Sequence, residues 1–432
     1  MSTQTLPPTV GNLDAPVPGQ VQVKIAWRGP VLYLGVGVLA LILFALLTPG
    51  AEKTHFMVAT GRDFVKIAPF AVPSRASALV LCIGALALAG WITWLTAGRR
   101  RVPVWAPLTF AGLILLAFLV WVMAGNTNAL PLTVLLTGAL TLSVPLIFGS
   151  LAGLLCERSG IINIAIEGQL LGGAFLAVVV ASTTGSPYAG LIAAPIAGAL
   201  VGLVLVIFAV RYRIDQIIVG VVLNVLVIGI TNYLFSTVLT ANPQTLNSPD
   251  RLPTLPIPVL SQIPILGPVL FNHSIVVYLM YVAVAALQVL VFRSRWGLRM
   301  RAVGEHPKAA DTVGINVNRT RYRNTILGGA VAGLGGAALV SAGLAFTKEL
   351  TSGKGYIALA AMILGRWSPK GALAAALLFG FADSLRQVLN NLGSPVPSQF
   401  LSMLPYLATI FAVAGLVGRV RAPAAEGIPY VK

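Results

Sequence analysis

Charge is scarce in this chain. Of 432 residues, 29 are Lys or Arg and 12 are Asp or Glu, so charged residues make up 9%, against about a quarter in soluble domains. A soluble globular fold is therefore excluded. Histidine is nearly absent as well: His55, His273 and His306 form neither HExxH nor another metal-ligating spacing, and no nucleophile elbow occurs. There is no GxxxxGK[ST], so the chain has no phosphate-cradling loop of its own. Nothing in the sequence supports a catalytic site, a metal or a resident cofactor. The two cysteines, Cys82 and Cys156, lie far apart in or beside apolar segments. They support no disulfide framework, and each reads as a small packing residue.

What is present is apolar sequence in long runs. Hydrophobic residues make up 57% and the mean hydropathy is +0.89. Repeated runs of roughly 20 residues predict an all-α fold, a polytopic membrane helix bundle. The runs are continuous rather than alternating, which argues against a β-barrel. A net charge of +17 could suggest nucleic acid, but the basic residues cluster at the ends of apolar runs. Retention of Lys and Arg on the cytoplasmic side explains them without it.

Residues 1–27 are polar, with Pro7, Pro8, Pro16 and Pro18, and read as a disordered cytoplasmic tail rather than a signal peptide. Full spans are predicted at about 31–47, 78–95, 106–124, 130–155, 191–210, 217–239, 274–291, 325–345, 371–389 and 401–417, with shorter apolar pieces at 168–180 and 356–365. That is about ten transmembrane helices plus broken or half helices. The strongly basic loops all fall on one side, which predicts cytoplasmic N- and C-termini. Segment 240–271 holds seven prolines and reads as an irregular external loop. Ten residues at about 1.5 Å each cannot cross a bilayer, so 356–365 reads as half of a broken helix. Its Ile357-Ala358-Leu359 and Ile363-Leu364-Gly365 align with Ile164-Ala165-Ile166 and Leu170-Leu171-Gly172 at a constant offset of 193. Such a weak inverted repeat would place a substrate path at the paired interruptions.

Two stretches differ from the rest. In Arg293–Arg323, Gly304 to Pro307 reads as a turn and Lys308–Val313 as a short helix, which Pro307 suits at its start and Gly314 at its end. Ala309, Ala310 and Val313 then share one face. The stretch is either a helix gripped by a soluble partner or an ordinary loop held positive by topology. The other, Cys156–Phe175, reads CERSGIINIAIEGQLLGGAF. Glu157 and Arg158 read as interfacial. Asn163 and Glu167 fall on one helical face, and Gly168, Gly172 and Gly173 admit another helix closely. A membrane-edge turn and a role in a solute path weigh equally here. Elsewhere, Asn224 and Asn232 share one span, with Asp215-Gln216 at its inner mouth. Phe346 and Tyr356 flank an outer turn and could stack on a base or simply sit at the interface. Asp383 and Arg386, three apart, read first as a structural ion pair and second as a substrate contact.

Gly-Glu-x-Pro-x-Ala-Ala-x-x-x-Gly-Ile-Asn, carried by Gly304, Glu305, Pro307, Ala309, Ala310, Gly314, Ile315 and Asn316, resembles the ATPase-docking loop of ABC importer permeases. The branch in question includes the ribose, nucleoside and branched-chain amino acid permeases. Glu-Arg-x-Gly-x-x-Asn-Ile-x-x-Glu-Gly, from Glu157 to Gly168, resembles the signature of its nucleoside-type members. Together the resemblances cover roughly 130–420; the first 125 residues and 240–271 fit loosely or not at all. They imply a transport subunit rather than an enzyme, in a prokaryotic cytoplasmic membrane and embedded in its lipid, carrying nucleosides. The implied partners are a cytoplasmic ABC ATPase, which would bind the ATP and Mg, a second permease subunit, identical or different, and an extracellular solute-binding protein. The implied organisation is a tail (1–27), extra N-terminal helices (28–125), a permease core (126–421) with a coupling loop (293–323), and a tail (422–432). Asn163, Glu167, Gly168, Asn224, Phe346, Tyr356 and Asp383 are the candidate path residues. A simple-sugar permease of the same branch is the alternative within transport. An ion-coupled transporter is the rival from another class; it would need an in-membrane acidic cluster, for which only Asp383 and Glu167 qualify.

Overall fold

The computed structural model describes residues 27–48, 50–58, 67–103, 105–393, 396–397, 399–403, 406 and 421–431. The expected N-terminal tail up to residue 26 and most of the span at 401–417 lie outside the described residues. The chain divides into two units, one built from segments up to Gly50 and from Arg75 to Trp121, the other from Ala51 to Ser74 and from Val122 onward.

The first unit holds α1 (Arg28–Ala40, continued as a π-helix through Leu46), nearly all of α2 (Ser74–Ala97) and of α3 (Trp105–Val122). Buried Ala85 and Ala89 leave room for aromatic rings from the neighbouring helices. Tyr33 meets Phe110 edge-on at 5.2 Å between centroids, and Phe44 meets Phe118 at 5.6 Å.

The second unit starts with a small sheet. Strand β1 (Lys53–Met57) pairs antiparallel with β2 (Phe70–Pro73) and parallel with β3 (Leu130–Pro131). The helices follow as α4 (Leu132–Glu157), α5 (Ile166–Thr184), α6 (Pro187–Val206) and α7 (Gln216–Leu234), with π-helical ends on the last two. Segment 240–271 is more ordered than expected: it contains three short helical turns and β4 (Thr254–Pro256), which pairs antiparallel with β5 (Asn272–Ser274). Next come α8 (Ile275–Arg293), α9 (Arg295–Glu305), α10 (Pro307–Thr312), α11 (Val317–Val340), α12 (Lys354–Leu364) and α13 (Pro369–Asn391).

Among the described residues, nine helices, α1 to α8 and α13, are long and apolar enough to cross a membrane. Two expectations are corrected. The piece at 168–180 is no half helix; α5 has 19 residues, because Ile166 and Glu167 extend it at its buried start and the small and polar run Ala181–Thr184 extends it at its end. The span expected at 325–345 begins earlier, and its first turns carry Arg319, Arg321 and Arg323. The piece at 356–365 is short as read, with 11 residues in α12.

Glycine decides how α11 packs. A Cβ on Gly329 would lie 2.3 Å from the Gly198 carbonyl oxygen of α6, and one on Gly336 would lie 2.2 Å from that of Leu170 in α5. Apolar side chains gain little by leaving lipid, so membrane helices adhere through such close backbone approach. On the far side of α4, α13 crosses with Gly380 against the Ala139 carbonyl, and Ser384 Oγ donates to the Leu135 carbonyl at 2.8 Å.

Candidate functional site

The two interrupted segments meet. Residues 161–165 are unwound ahead of α5, and a turn with Gly353 at φ +80° precedes α12. Gly149 and Gly153 of α4 admit Ile166 together with Ala358 and Met362, so α5 and α12 run in opposite senses along the same helix. Their first turns touch: a Cβ on Gly355 would fall 2.4 Å from the Glu167 nitrogen. Into this junction points the Glu167 carboxylate, 4% exposed. It accepts from Thr351 Oγ1 (2.5 Å), Gly353 N (2.8 Å) and Gly355 N (2.6 Å). A negative group at a helix N-terminus satisfies amides that lack intrahelical partners and complements the dipole. Glu167 therefore joins the starts of α5 and α12.

Asn224 of α7 closes the same junction. Its Oδ1 accepts from Gly168 N at 2.8 Å, and its Nδ2 donates to the Ile164 carbonyl at 2.9 Å and to Tyr356 Oη at 3.1 Å. Gln216 Oε1, at the start of α7, accepts from Ile162 N at 2.7 Å. Gly168, Asn224 and Tyr356, expected along one path, are thus brought together, and Tyr356 is 48% exposed. The helix starts lie 354 − 166 = 188 residues apart rather than at the 193 of the sequence alignment.

Several expectations change. Asn163 and Glu167 do not share a helical face, because the chain is unwound at Asn163. Its fully buried amide donates to Gln169 Oε1 at 3.0 Å and contacts Cys156 Sγ at 3.4 Å. Phe346, expected to stack on a base or sit at the interface, does neither; it is buried against Phe175 and Phe235 at 5.1 and 6.2 Å. Asp383 pairs with Arg386 at 3.3 Å, the structural reading. Glu157 is not interfacial but 4% exposed, and accepts from the Trp367 indole N–H at 2.6 Å. Arg158 donates to the Trp367 carbonyl through Nε (3.1 Å) and Nη2 (2.9 Å), and burial pulls its guanidinium below its ordinary value. Trp367, which sequence reasoning passed over, follows Arg366 in a turn where both have positive φ (49° and 56°).

In the 293–323 stretch, Gly304 and Glu305 end α9 rather than form a turn, while Gly314, at φ +82°, closes α10 as expected. The expected shared face is split: Ala310 is 3% exposed and packs on Val303 and Val317, whereas Ala309 is exposed and Val313 is 74% exposed. Positions i and i+1 lie about 100° apart on a helix, which separates the two alanines. The side that a partner can reach is therefore Lys308, Ala309, Thr312 and Val313. Beside it a groove of about 840 Å³ is lined by Arg295, Arg299, Arg319 and Arg323, with Ile315 at its edge. Gly304 cannot hold a side chain, since a Cβ there would sit 2.3 Å from the Arg158 carbonyl oxygen. The two motif stretches are therefore in backbone contact.

Residues 135–414 match the family described as branched-chain amino acid transport system / permease component. Among curated relatives, the guanosine ABC transporter permease protein NupQ of Bacillus subtilis is 40% identical over 70% of this chain and 97% of its own length. The nucleoside ABC transporter permease protein NupC of Lactococcus lactis is 36% identical over 70% and 98%. A glucose ABC transporter permease protein of Haloferax volcanii is 30% identical over 56% and 67%. No solved structure matches the chain.

Proposed function

The chain belongs to the permease family of the branched-chain amino acid transport system, and from that premise we propose that it carries nucleosides as the membrane-spanning part of an ATP-driven importer. It is a multi-pass permease subunit, a transport component rather than an enzyme. The nucleoside assignment rests chiefly on the two relatives named for guanosine and nucleoside transport, together with the Glu157–Gly168 stretch. ATP and Mg would be bound by a separate ATPase seated on the exposed side of α10. A second permease and an external solute-binding protein would complete the assembly, in a prokaryotic cytoplasmic membrane with both termini inside. Helices within 28–125 are additions to the permease core. The path is assigned to the junction of α5, α7 and α12, where Gly168, Asn224 and half-exposed Tyr356 meet. Asn163, Glu167 and Phe346 form its framework.

Uptake of labelled adenosine and uridine, with and without the chain and with ribose or leucine as competitors, tests the cargo. Loss on deletion and competition by nucleosides alone is expected; competition by ribose would move the assignment to the sugar permeases. Docking is tested separately. Ala309→Asp and Val313→Asp should each lower recovery of the ATPase with the purified chain by about tenfold, about 1.4 kcal/mol, without changing its thermal stability. Ala310→Asp should instead lower stability, because it buries a charge among Val303 and Val317. Wild-type recovery of the ATPase with both surface variants would refute the docking assignment.

A further inference from the structure

The segment Arg421–Val431 lies beyond the family match, which ends at 414, yet it is built into both motif stretches. On one edge, Ala425 N donates to the Gly304 carbonyl at 2.8 Å and Ala424 N to Glu305 Oε2 at 3.2 Å. On the other, Gly427 N donates to the Gly160 carbonyl at 3.3 Å. Arg321 Nη1 from α11 donates to the Ile428 carbonyl at 3.0 Å. Tyr430 packs on the cluster of Val303, Ala310 and Val317 beneath α10. The Glu426 carboxyl lies beside that of Glu157, and burial raises Glu426 above the usual carboxylate range. Pro423 and Ala425 are buried. Glycine is required at both contact points with the 160s loop. Gly160 has φ +88° with the Ala425 carbonyl oxygen 3.1 Å from where a Cβ would stand, and Gly427 has φ +74° with Ile162 Cδ1 at 2.8 Å.

We infer that residues 421–431 form a strap through which movement of α10 reaches the unwound loop 158–165. The inference rests on α10 being the ATPase-docking helix. Displacement of α10 and the end of α9 moves Ala310 and Gly304, and with them Tyr430 and Ala425. The strap's other edge holds Gly160 and Glu157, from which the chain runs through Asn163 to Glu167. Gly304 against Arg158 alone is a point contact, about which the two stretches can pivot. The strap and Arg321 add two further attachments, and the joint then transmits rotation as well as translation.

The test uses the chain purified with its ATPase in nanodiscs, comparing wild type with Gly427→Val and with Glu426→Gln, which keeps the shape of the side chain. Gly427→Val should raise amide exchange by about tenfold in 158–165 and 302–312 together, leaving α6 unchanged, while the ATPase still co-purifies. In proteoliposomes with the binding protein, nucleoside uptake per ATP hydrolysed should fall by about tenfold. Glu426→Gln should shift both readouts in the same direction and by less. Faster exchange confined to 421–431, or an unchanged uptake-to-hydrolysis ratio with both variants, would overturn the strap. If the wild-type assembly moves no nucleoside, the transport reading fails, and the exchange measurement still decides whether the strap joins the two stretches.

Discussion

Gly333→Ala should leave little folded protein, although it adds one methyl group. The new Cβ would lie 2.2 Å from the Ala194 carbonyl oxygen and 3.0 Å from Pro195 Cα, both on α6. Retreat toward α5 is blocked, because the site of a Cβ on Gly173 is already 2.7 Å from Gly333 Cα. The obstacles are backbone atoms on two sides, so no rotamer change relieves them and the helices must part. Overpacking of a well-filled core costs about 1–3 kcal/mol where side chains can adjust, and here the cost should reach the top of that range or pass it. Gly229→Ala in α7 is the control. Nothing lies within 4 Å of a Cβ there, and alanine favours a helix interior by about 1 kcal/mol. Thermal unfolding in one detergent should show Gly333→Ala lowered by many degrees and Gly229→Ala unchanged or raised. Equal midpoints would mean that α5, α6 and α11 do not pack as described.

The second large effect belongs to Glu167. Truncation to alanine leaves the Thr351 hydroxyl and the amides of Gly353 and Gly355 without an acceptor in a buried junction. An unsatisfied buried donor costs about 1–3 kcal/mol. With incomplete additivity, the loss should be on the order of 3–5 kcal/mol. Glu167→Gln retains one carbonyl oxygen but turns an amide NH₂ toward donors, so it should fall between wild type and alanine. Midpoints in the order Glu, Gln, Ala are expected, with uptake falling in parallel. A Glu167→Gln variant that is fully stable yet inactive would return this carboxylate to contact with the solute.

The apolar spans were legible because length and hydropathy are local properties. So was Gly314, where the end of a six-residue helix demands positive φ. What was not legible concerns partners far along the chain. Glu157 and Arg158 look interfacial until Trp367, about two hundred residues on, supplies an acceptor for one and a donor for the other. Spacing put Asn163 and Glu167 on one face because it assumes a helix, and the backbone is unwound at Asn163. Ala309 and Ala310 could not be told apart without knowing which side of α10 rests on Val303 and Val317. The buried Arg321 and the 421–431 segment gave no signal at all, since their partners are mainly backbone carbonyls, which every sequence has in equal number.

The shared carboxylate between α5 and α12 also limits how the protein can work as a machine. Two helix ends riveted by Glu167, with Asn224 clamped across them, cannot slide apart without stranding polar groups in lipid. An opening along this seam would have to break each of these hydrogen bonds. The junction is bordered by left-handed turns at Gly160 and Gly343, where the backbone leaves it.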